Sequence, residues 1–247
     1  MHPAHNLRKP SITVMVPAFN EAANLKRTAK EVLDNLTNGN FSEYEILIIV
    51  CLDKNGTDDG TRQIAEELTK LDPHIKAILN PYVNLGYKFW QGVSLARMDY
   101  YIWIPGDGEN DQAISELFAS VGKADLVIAY TLNEEVRSLH RRIISRTYTI
   151  IINILFGLHL KYFNGTCVYK IDILRSLPDS TKMTCDPSFN AEVLIKLLKK
   201  GHSYIEQGVH INPRMSGKAK TLNLRNLKDV ATNMLKVFWE VRIVKAY

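Results

Sequence analysis

The stretch Trp103 to Asp111, WIPGDGEND, sets Asp107, Glu109 and Asp111 at alternate positions directly after an apolar run. Three carboxylates this close repel one another unless they are solvated or share a positive partner. Acids at i and i+2 of an irregular turn can face one ion, and hard oxygen ligands suit Mg2+ or Mn2+. A divalent ion held there could in turn hold a diphosphate. The plainer alternative is a solvated acidic turn in which Asp111 caps the helix QAISELF.

Several other chemistries find no support. No GxGxxG follows the first apolar run, and GxxxxGK[ST] and GxSxG are missing. A Rossmann dehydrogenase, a P-loop NTPase and an α/β-hydrolase are therefore disfavoured. The seven histidines form no HExxH or HxH pattern, and His210, just ahead of a basic stretch, reads as a core or surface residue. Cys51, Cys167 and Cys185 lie far apart without a CxxC pair, which argues against disulfides or structural zinc and for a reducing compartment.

The acidic turn belongs to an alternating pattern. ITVMVP (Ile12 to Pro17) reads as a buried strand, and Asn20 as the N-cap of a helix with Leu25, Ala29, Val32, Leu33 and Leu36 on one face. EILIIVC (Glu45 to Cys51) is a continuous strand, followed by the turn LDKNGTDDGT and a helix carrying Ile64, Ala65, Leu68 and Leu71. Further strands are expected near Ile75 to Leu79, Tyr100 to Ile104 and Asp125 to Tyr130, with a helix near Phe89 to Met98 between the first two. This alternation predicts an α/β fold with a mostly parallel sheet flanked by helices. In such sheets ligands bind beyond the carboxyl ends of the strands, where PAFNE, LDKNGTDDGT and PGDGEND converge.

The second half is less regular. RSLHRRIISRTYTIIINILFGLHL is basic, then apolar, and reads as helical; NGTCVYKIDIL reads as a turn into a strand or short helix. FNAEVLIKLLKKG is a helix stopped by Gly201. At 247 residues and 46% hydrophobic composition, one core with a small appendage is expected. We divide the chain into a domain over 1–222 and a basic amphipathic helix over 223–247. Net charge is +5, and from Arg214 to Lys245 eight Lys and Arg face two acids, so the basic excess lies at the end of the chain. That points to a polyanionic partner. MHPAHNLRKP lacks the apolar core of a secretory leader, and no apolar run approaches the roughly 20 residues of a membrane span. The expectation is a cytoplasmic protein, peripheral at most to the inner membrane face.

VMVPAFNEAANL, NGTDDGT, NLGY, GDGEND, AEVLIK and PRMSGKAK occur in an order and spacing that resemble family 2 glycosyltransferases of the GT-A fold. The branch most resembled makes dolichol- and polyprenyl-phosphate sugars. The resemblance implies that Pro17, Phe19 and Glu21 line the pocket for a nucleotide-diphosphate sugar. Glu21 can also be read as an ordinary first-turn acid. Where the family commonly has DDGSTDGT, this chain has Asp53-Lys54-Asn55-Gly56-Thr57-Asp58-Asp59-Gly60-Thr61, so Asp53 becomes the base-recognising acid. Asn84 and Gly86 match the glycine-rich loop that follows the third strand, with Lys88 replacing a family residue.

GDGEND aligns with a metal motif commonly DADxQ. It implies that Asp107 and Glu109 hold the metal and diphosphate, with Asp111 as a further candidate ligand at the amide position. Arg214, Gly217, Ala219 and Lys220 match a stretch that folds over the diphosphate, with Ala in place of Ser. Arg214 and Lys220 would neutralise the leaving group. A polyprenyl monophosphate acceptor is already ionised and needs no general base; a saccharide hydroxyl needs one, with Glu192 or Asp186 as candidates. Arg137, His140, Arg141, Arg142 and Arg146 ahead of an apolar run suit a lipid phosphate at a membrane surface. The terminal helix suggests the same through Phe238 and Trp239, unless it packs on the core or in a homo-oligomer.

The reading is an inverting, Mg2+- or Mn2+-dependent transfer to polyprenyl phosphate. The alternatives are transfer to a saccharide hydroxyl in cell-surface polysaccharide synthesis and a non-catalytic sugar-nucleotide-binding scaffold. A nucleic-acid partner is disfavoured because few aromatics interleave the basic segment.

Overall fold

The computed structural model describes residues 9–53, 55–185, 187–213 and 224–245. Its strands are β1 (Ile12–Ala18), β2 (Tyr44–Val50), β3 (Ile75–Leu79), β4 (Tyr100–Trp103), β5 (Leu126–Thr131), β6 (Cys167–Lys170) and β7 (Tyr204–Val209). They form one sheet in the order β3-β2-β1-β4-β6-β5-β7, in which β6 alone among the described strands runs antiparallel to its neighbours. The helices are α1 (Leu25–Thr37), α2 (Thr61–Leu71), α3 (Leu85–Leu95), α4 (Ala113–Phe118), α5 (Leu139–Phe156), α6 (Ile171–Arg175), α7 (Asp179–Lys182), α8 (Phe189–Lys199) and α9 (Leu224–Phe238). A π-helical turn, Trp239–Val244, extends α9.

The central strands are apolar on both faces because both faces are covered. Val14, Val16, Ile46 and Ile48 point into one core with Leu25, Ala29, Val32 and Leu36 of α1 and Ala65 and Leu68 of α2. Met15, Ile49 and Tyr101 point into the other with Phe89 of α3, Ile152 and Phe156 of α5, and Leu194, Ile195 and Leu197 of α8. Alternation of side chains along a strand thus serves two helical layers, as parallel sheets require.

Three features depart from the sequence reading. α1 starts at Leu25, about one turn after Asn20, whose φ of 55° lies in the left-handed region. The intervening residues are held as a loop: the Glu21 amide donates to Thr61 Oγ1 (2.7 Å) and the Ala22 amide to Asp59 Oδ2 (3.2 Å). α3 starts at Leu85, ahead of the expected Phe89. β7 was not foreseen, because YIEQGV is a half-exposed edge strand without an apolar run. β6 and α6 resolve the strand-or-helix reading of NGTCVYKIDIL: the segment is a strand followed by a short helix.

The terminal helix packs on the core through Met234, Val237 and Val241. It is also pinned by ions. Lys196, fully buried, donates to Glu192 (2.8 Å), Glu240 (2.6 Å) and Thr181 Oγ1 (2.7 Å).

At the opposite edge of the sheet Glu45 is 1% exposed and accepts from Thr13 Oγ1 (2.9 Å) and from the Arg97 amide (2.7 Å) and guanidinium (2.9 Å). Burial alone would raise its pKa, but the Arg97 and Thr13 hydrogen bonds and the Arg97 charge together hold it below the ordinary glutamate value. A depressed carboxyl contributes stability above its unfolded pKa and loses it as pH falls through the folded pKa. Glu45→Gln should therefore flatten the acid limb of a stability-versus-pH curve below about pH 4.3, as read by urea denaturation. Glu45→Ala should cost about 2 kcal/mol at neutral pH, chiefly because the Thr13 hydroxyl and Arg97 amide lose their acceptor.

Candidate active site

Every described strand except β6 ends at the same edge of the sheet, so the β1, β2, β4, β5 and β7 exit loops share it with the loop entering β6. Backbone hydrogen bonds stitch three of them together. The Cys51 amide reaches the Ala18 carbonyl (3.2 Å) and the Gly106 amide the Pro17 carbonyl (3.3 Å). Pro17, Phe19 and Glu21 lie half-buried along this seam, where the sequence places a nucleotide pocket.

Asp53 is turned into its own loop. Its Oδ1 accepts from the amides of Asn55 (2.8 Å) and Thr57 (2.9 Å), and its Oδ2 from the Thr57 hydroxyl (2.9 Å). Those bonds, led by the Thr57 amide, lower its pKa from the ordinary aspartate value. Asp53 thus shapes the β2 exit turn. Asn84 is exposed at the start of α3. Gly86 is buried: a Cβ there would stand 2.5 Å from Cys185 Cα, so this close packing requires glycine. Lys88 is 4% exposed, with Nζ 2.9 Å from the Val83 carbonyl and 3.3 Å from Cys51 Sγ. Burial lowers its pKa, and the charges of Cys51 and Glu21 oppose that shift.

The three acids of the β4 exit do not converge. Asp111 is 9% exposed and faces α1, accepting from Arg27 Nε (3.0 Å) and Thr28 Oγ1 (3.0 Å). Glu109, 8% exposed, faces the other way, with Oε1 2.9 Å from Arg137 and 3.5 Å from Arg141. Half-buried Asp107 lies between them, and its Oδ1 accepts the Glu109 amide (3.1 Å). Gly108 permits this divergence. Its φ is +75°, and a Cβ would collide with the Arg27 guanidinium.

Each outer acid therefore has cationic partners of its own. Among the described residues no group of three His, Cys, Asp or Glu side chains could hold a metal ion, so the three-carboxylate seat expected from the sequence is corrected. Mg2+ usually takes one or two carboxylates and completes its shell with substrate phosphates and water. Asp107 fits that arrangement: a cation carried chiefly by a diphosphate, not by a protein cage. His210 Nδ1 lies 2.9 Å from Glu116.

Arg137 opens a second part of the site. It also donates to the Tyr162 hydroxyl (3.1 Å), bridging the acidic turn to the loop before β6. Together with Arg141, Arg142, Lys161, Tyr130 and Glu134 it lines a cavity of about 230 Å3. That is below the roughly 300–1,000 Å3 of pockets for whole organic ligands and suits an anionic head group. Lys161 Nζ sits 4.0 Å over the Tyr130 ring, and Glu134 accepts from Arg146 (2.7 Å). The β7 exit clamps the acidic turn from above, since the Asn212 amide donates to the Glu109 carbonyl (2.8 Å) and its side chain to the Gly108 carbonyl (3.1 Å). Sequence reasoning missed Arg27 and Asn212. Only Asn212, two residues before Arg214, carried any signal.

Glu192 stands in the first turn of α8. It is fully buried, with one oxygen on Lys196 and the other accepting from Asn233 (3.0 Å). Its role as a base on an acceptor hydroxyl is corrected to that of a buried ion-pair partner. Lys54, Asp186, Arg214, Gly217, Ala219 and Lys220 lie outside the described residues.

Because Asp111 fastens the turn to α1, Asp111→Ala should destabilise the fold by about 2 kcal/mol in urea denaturation. Asp107→Ala should cost less, about 1 kcal/mol, for loss of the hydrogen bond from the Glu109 amide. Equal losses would contradict this division between structural and chemical acids.

The chain resembles known proteins over most of its length. Its sequence matches the profile described as Glycosyl transferase family 2 over residues 13–175. A Bacillus subtilis protein named as a glycosyltransferase, EpsH, is 30% identical over 124 residues, covering 49% of this chain and 34% of that one. A Haemophilus influenzae protein described as an uncharacterized glycosyltransferase is 31% identical over 97 residues, covering 36% of this chain and 28% of its own length. The matches thus span about a third of these relatives. Glucosyl-3-phosphoglycerate synthase from Mycobacterium tuberculosis has a similar structure, with TM-score 0.64 and 15% identity over 94% of this chain and 79% of that one. A mycobacterial protein of unstated activity gives TM-score 0.68 at 13% identity, over 92% and 74%. The sheet and its helices form a GT-A-like fold, and the chain belongs to glycosyl transferase family 2.

Proposed function

We propose that the chain transfers a sugar, with inversion, from a nucleotide-diphosphate sugar to the phosphate oxygen of a polyprenyl phosphate, with Mg2+ or Mn2+. In this reading residues 1–222 form the catalytic domain and 223–247 a basic helix beside the cytoplasmic membrane face. The observation that carries it is the cationic cavity of Arg137, Arg141, Arg142 and Lys161, joined to the acidic turn through Glu109. The Mycobacterium tuberculosis neighbour was crystallised with Mn2+, UDP-glucose and phosphoglyceric acid. A divalent ion, a nucleotide sugar and an anionic acceptor on this fold support the same three components here.

The chemistry is a displacement at the anomeric carbon. An oxygen of the acceptor phosphate forms the new bond to that carbon as the bond to the donor diphosphate breaks, and the nucleoside diphosphate leaves with the electron pair. Pro17, Phe19 and Glu21 bind the nucleotide, and Asp107 would hold the cation against its diphosphate. When bound, that ion offsets the negative charge developing on the leaving group. Arg214 and Lys220 supply the same sign of charge from the β7 exit segment. A phosphate monoester is largely dianionic at neutral pH, with a second pKa of about 6, and needs no protein base. Burial of Glu192 fits such an acceptor better than a saccharide hydroxyl, which must lose a proton. Arg142 and Lys161 hold the phosphate while Glu109 keeps Arg137 and Arg141 aimed at it.

The test is a transfer assay across nucleotide sugars with Mg2+ or Mn2+, offering polyprenyl phosphate, polyprenyl alcohol and oligosaccharides as acceptors. Product should form only with the phosphate. Arg142→Ala and Lys161→Ala should each raise the acceptor KM about tenfold or more, with a smaller change in kcat. Asp107→Ala should abolish cation-dependent nucleotide binding. Transfer to oligosaccharide alone, or no transfer with any pair, would overturn the proposal.

A further inference from the structure

Helix α5 carries an apolar face that nothing in the described fold covers. Its inward side chains are Thr149, Ile152 and Phe156, whereas Leu139 (66% exposed), Ile143 (56%), Ile150 (58%) and Ile154 (74%) form a stripe along the outside. Ile151 borders it, and α5 contains no acidic residue. The outward face of this helix is thus at least as apolar as the inward one. A water-soluble surface helix is ordinarily the reverse, and an exposed apolar patch of this kind marks an interaction site.

The terminal helix meets α5 at its C-terminal end. Phe156 and Phe238 pack edge to face at 6.1 Å, and Arg242 Nε donates to the Leu155 carbonyl (3.0 Å). This second helix has its own unpartnered row, Leu235, Trp239 and Ile243, each more than half exposed. The charges around the two rows are chiefly positive. Arg242 and Lys199 gather at Gly157, both within 4 Å of where its Cβ would stand. Lys228, Lys236 and Lys245 follow along the terminal helix. Its acids are Glu240, which holds Lys196 and lies 3.7 Å from Lys236, and the exposed Asp229. At the other end Glu134 pairs with Arg146 and lies 3.9 Å from Arg142.

We propose that the α5 stripe and the Leu235–Trp239–Ile243 row dock the protein on an anionic bilayer surface, with the apolar side chains in the headgroup region and Lys199, Lys236 and Arg242 against lipid phosphates. Branched aliphatics with an exposed tryptophan and flanking Lys and Arg are the composition of helices that lie in a membrane interface. No helix among the described residues is long and apolar enough to cross a bilayer, which agrees with lying on it. A second copy of the chain is a poorer occupant. A twofold contact through this face would set one cationic rim against the other, with few acids between them. The docking deepens the lipid-phosphate reading, since α5 also lines the Arg141–Arg142 cavity and would bring it to the depth of a lipid headgroup. Its test involves no catalysis, so the two can fail separately.

The experiment is sedimentation of the full chain with vesicles of phosphatidylcholine alone or mixed with phosphatidylglycerol. Binding should be strong only to the mixed vesicles and should weaken with added salt. Ile150→Glu combined with Ile154→Glu should reduce it about tenfold or more, and so should Trp239→Glu. All three side chains are exposed, so circular dichroism should show unchanged folding. Leu71→Glu, a control on exposed Leu71 of α2, should bind as the parent does. No binding to the mixed vesicles, or equal binding by the Ile150/Ile154 variant, would overturn the proposal. So would a parent dimer in analytical ultracentrifugation that the same variant converts to monomer without any vesicle binding.

Discussion

The architecture turns on one ion pair. Glu109 comes from the β4 exit and Arg137 from the segment after β5, and they meet at 2.9 Å with little of either exposed. A carboxylate and a guanidinium this far from water tolerate separation poorly, because each alone would be a buried uncompensated charge. The pair therefore fixes how the acidic turn sits against the basic cavity. Arg141 approaches the same oxygen at 3.5 Å and brings the first turn of α5 into the same constraint. Asn212 closes the arrangement from the β7 side with two hydrogen bonds to the backbone of the turn. Three segments distant in sequence are thereby held together around the turn.

The acids of that turn divide their labour by direction. Asp111 holds the turn to α1, Glu109 holds it to α5, and Asp107 lies between two neutralised neighbours at the sheet edge. Repulsion among three carboxylates is thus relieved mainly by protein cations. The turn is thus electrostatically satisfied and preorganised by the protein's own cations. The fully buried Lys196, with Glu192 and Glu240, does for the terminal helix what Glu109 does for the site. It fixes which face of that helix packs inward and leaves the Leu235–Trp239 row outside.

The sequence disclosed those parts of the fold that rest on continuous patterns. The apolar runs of β1, β2 and β4 were legible because strands covered on both faces need apolar residues at nearly every position. The spacing of Leu25, Ala29, Val32 and Leu36 likewise announced α1. The half-exposed β7 has no such pattern. At the site, the residue types were legible but not their directions. Asp107, Glu109 and Asp111 look equivalent as letters, and only the positive φ of Gly108 and the positions of Arg27 and Arg137 turn them apart. Glu192 had the right chemistry for a base, and its i+4 neighbour Lys196 was legible as an ion-pair partner, but no local feature told that Asn233 and Glu240 would enclose the pair. Long-range pairings of this kind are set by tertiary packing, which spacing in one chain does not reveal.

The central claim is that Glu109 and Arg137 work as one unit joining the donor turn to the acceptor cavity. A double-mutant cycle of Glu109→Gln and Arg137→Met, read as kcat/KM for the phosphate acceptor, measures that coupling directly. The account predicts that the double variant is about tenfold or more better than the product of the two single losses, a coupling of about 1.4 kcal/mol or more. Losses that simply multiply would show that the two residues act independently and would contradict it.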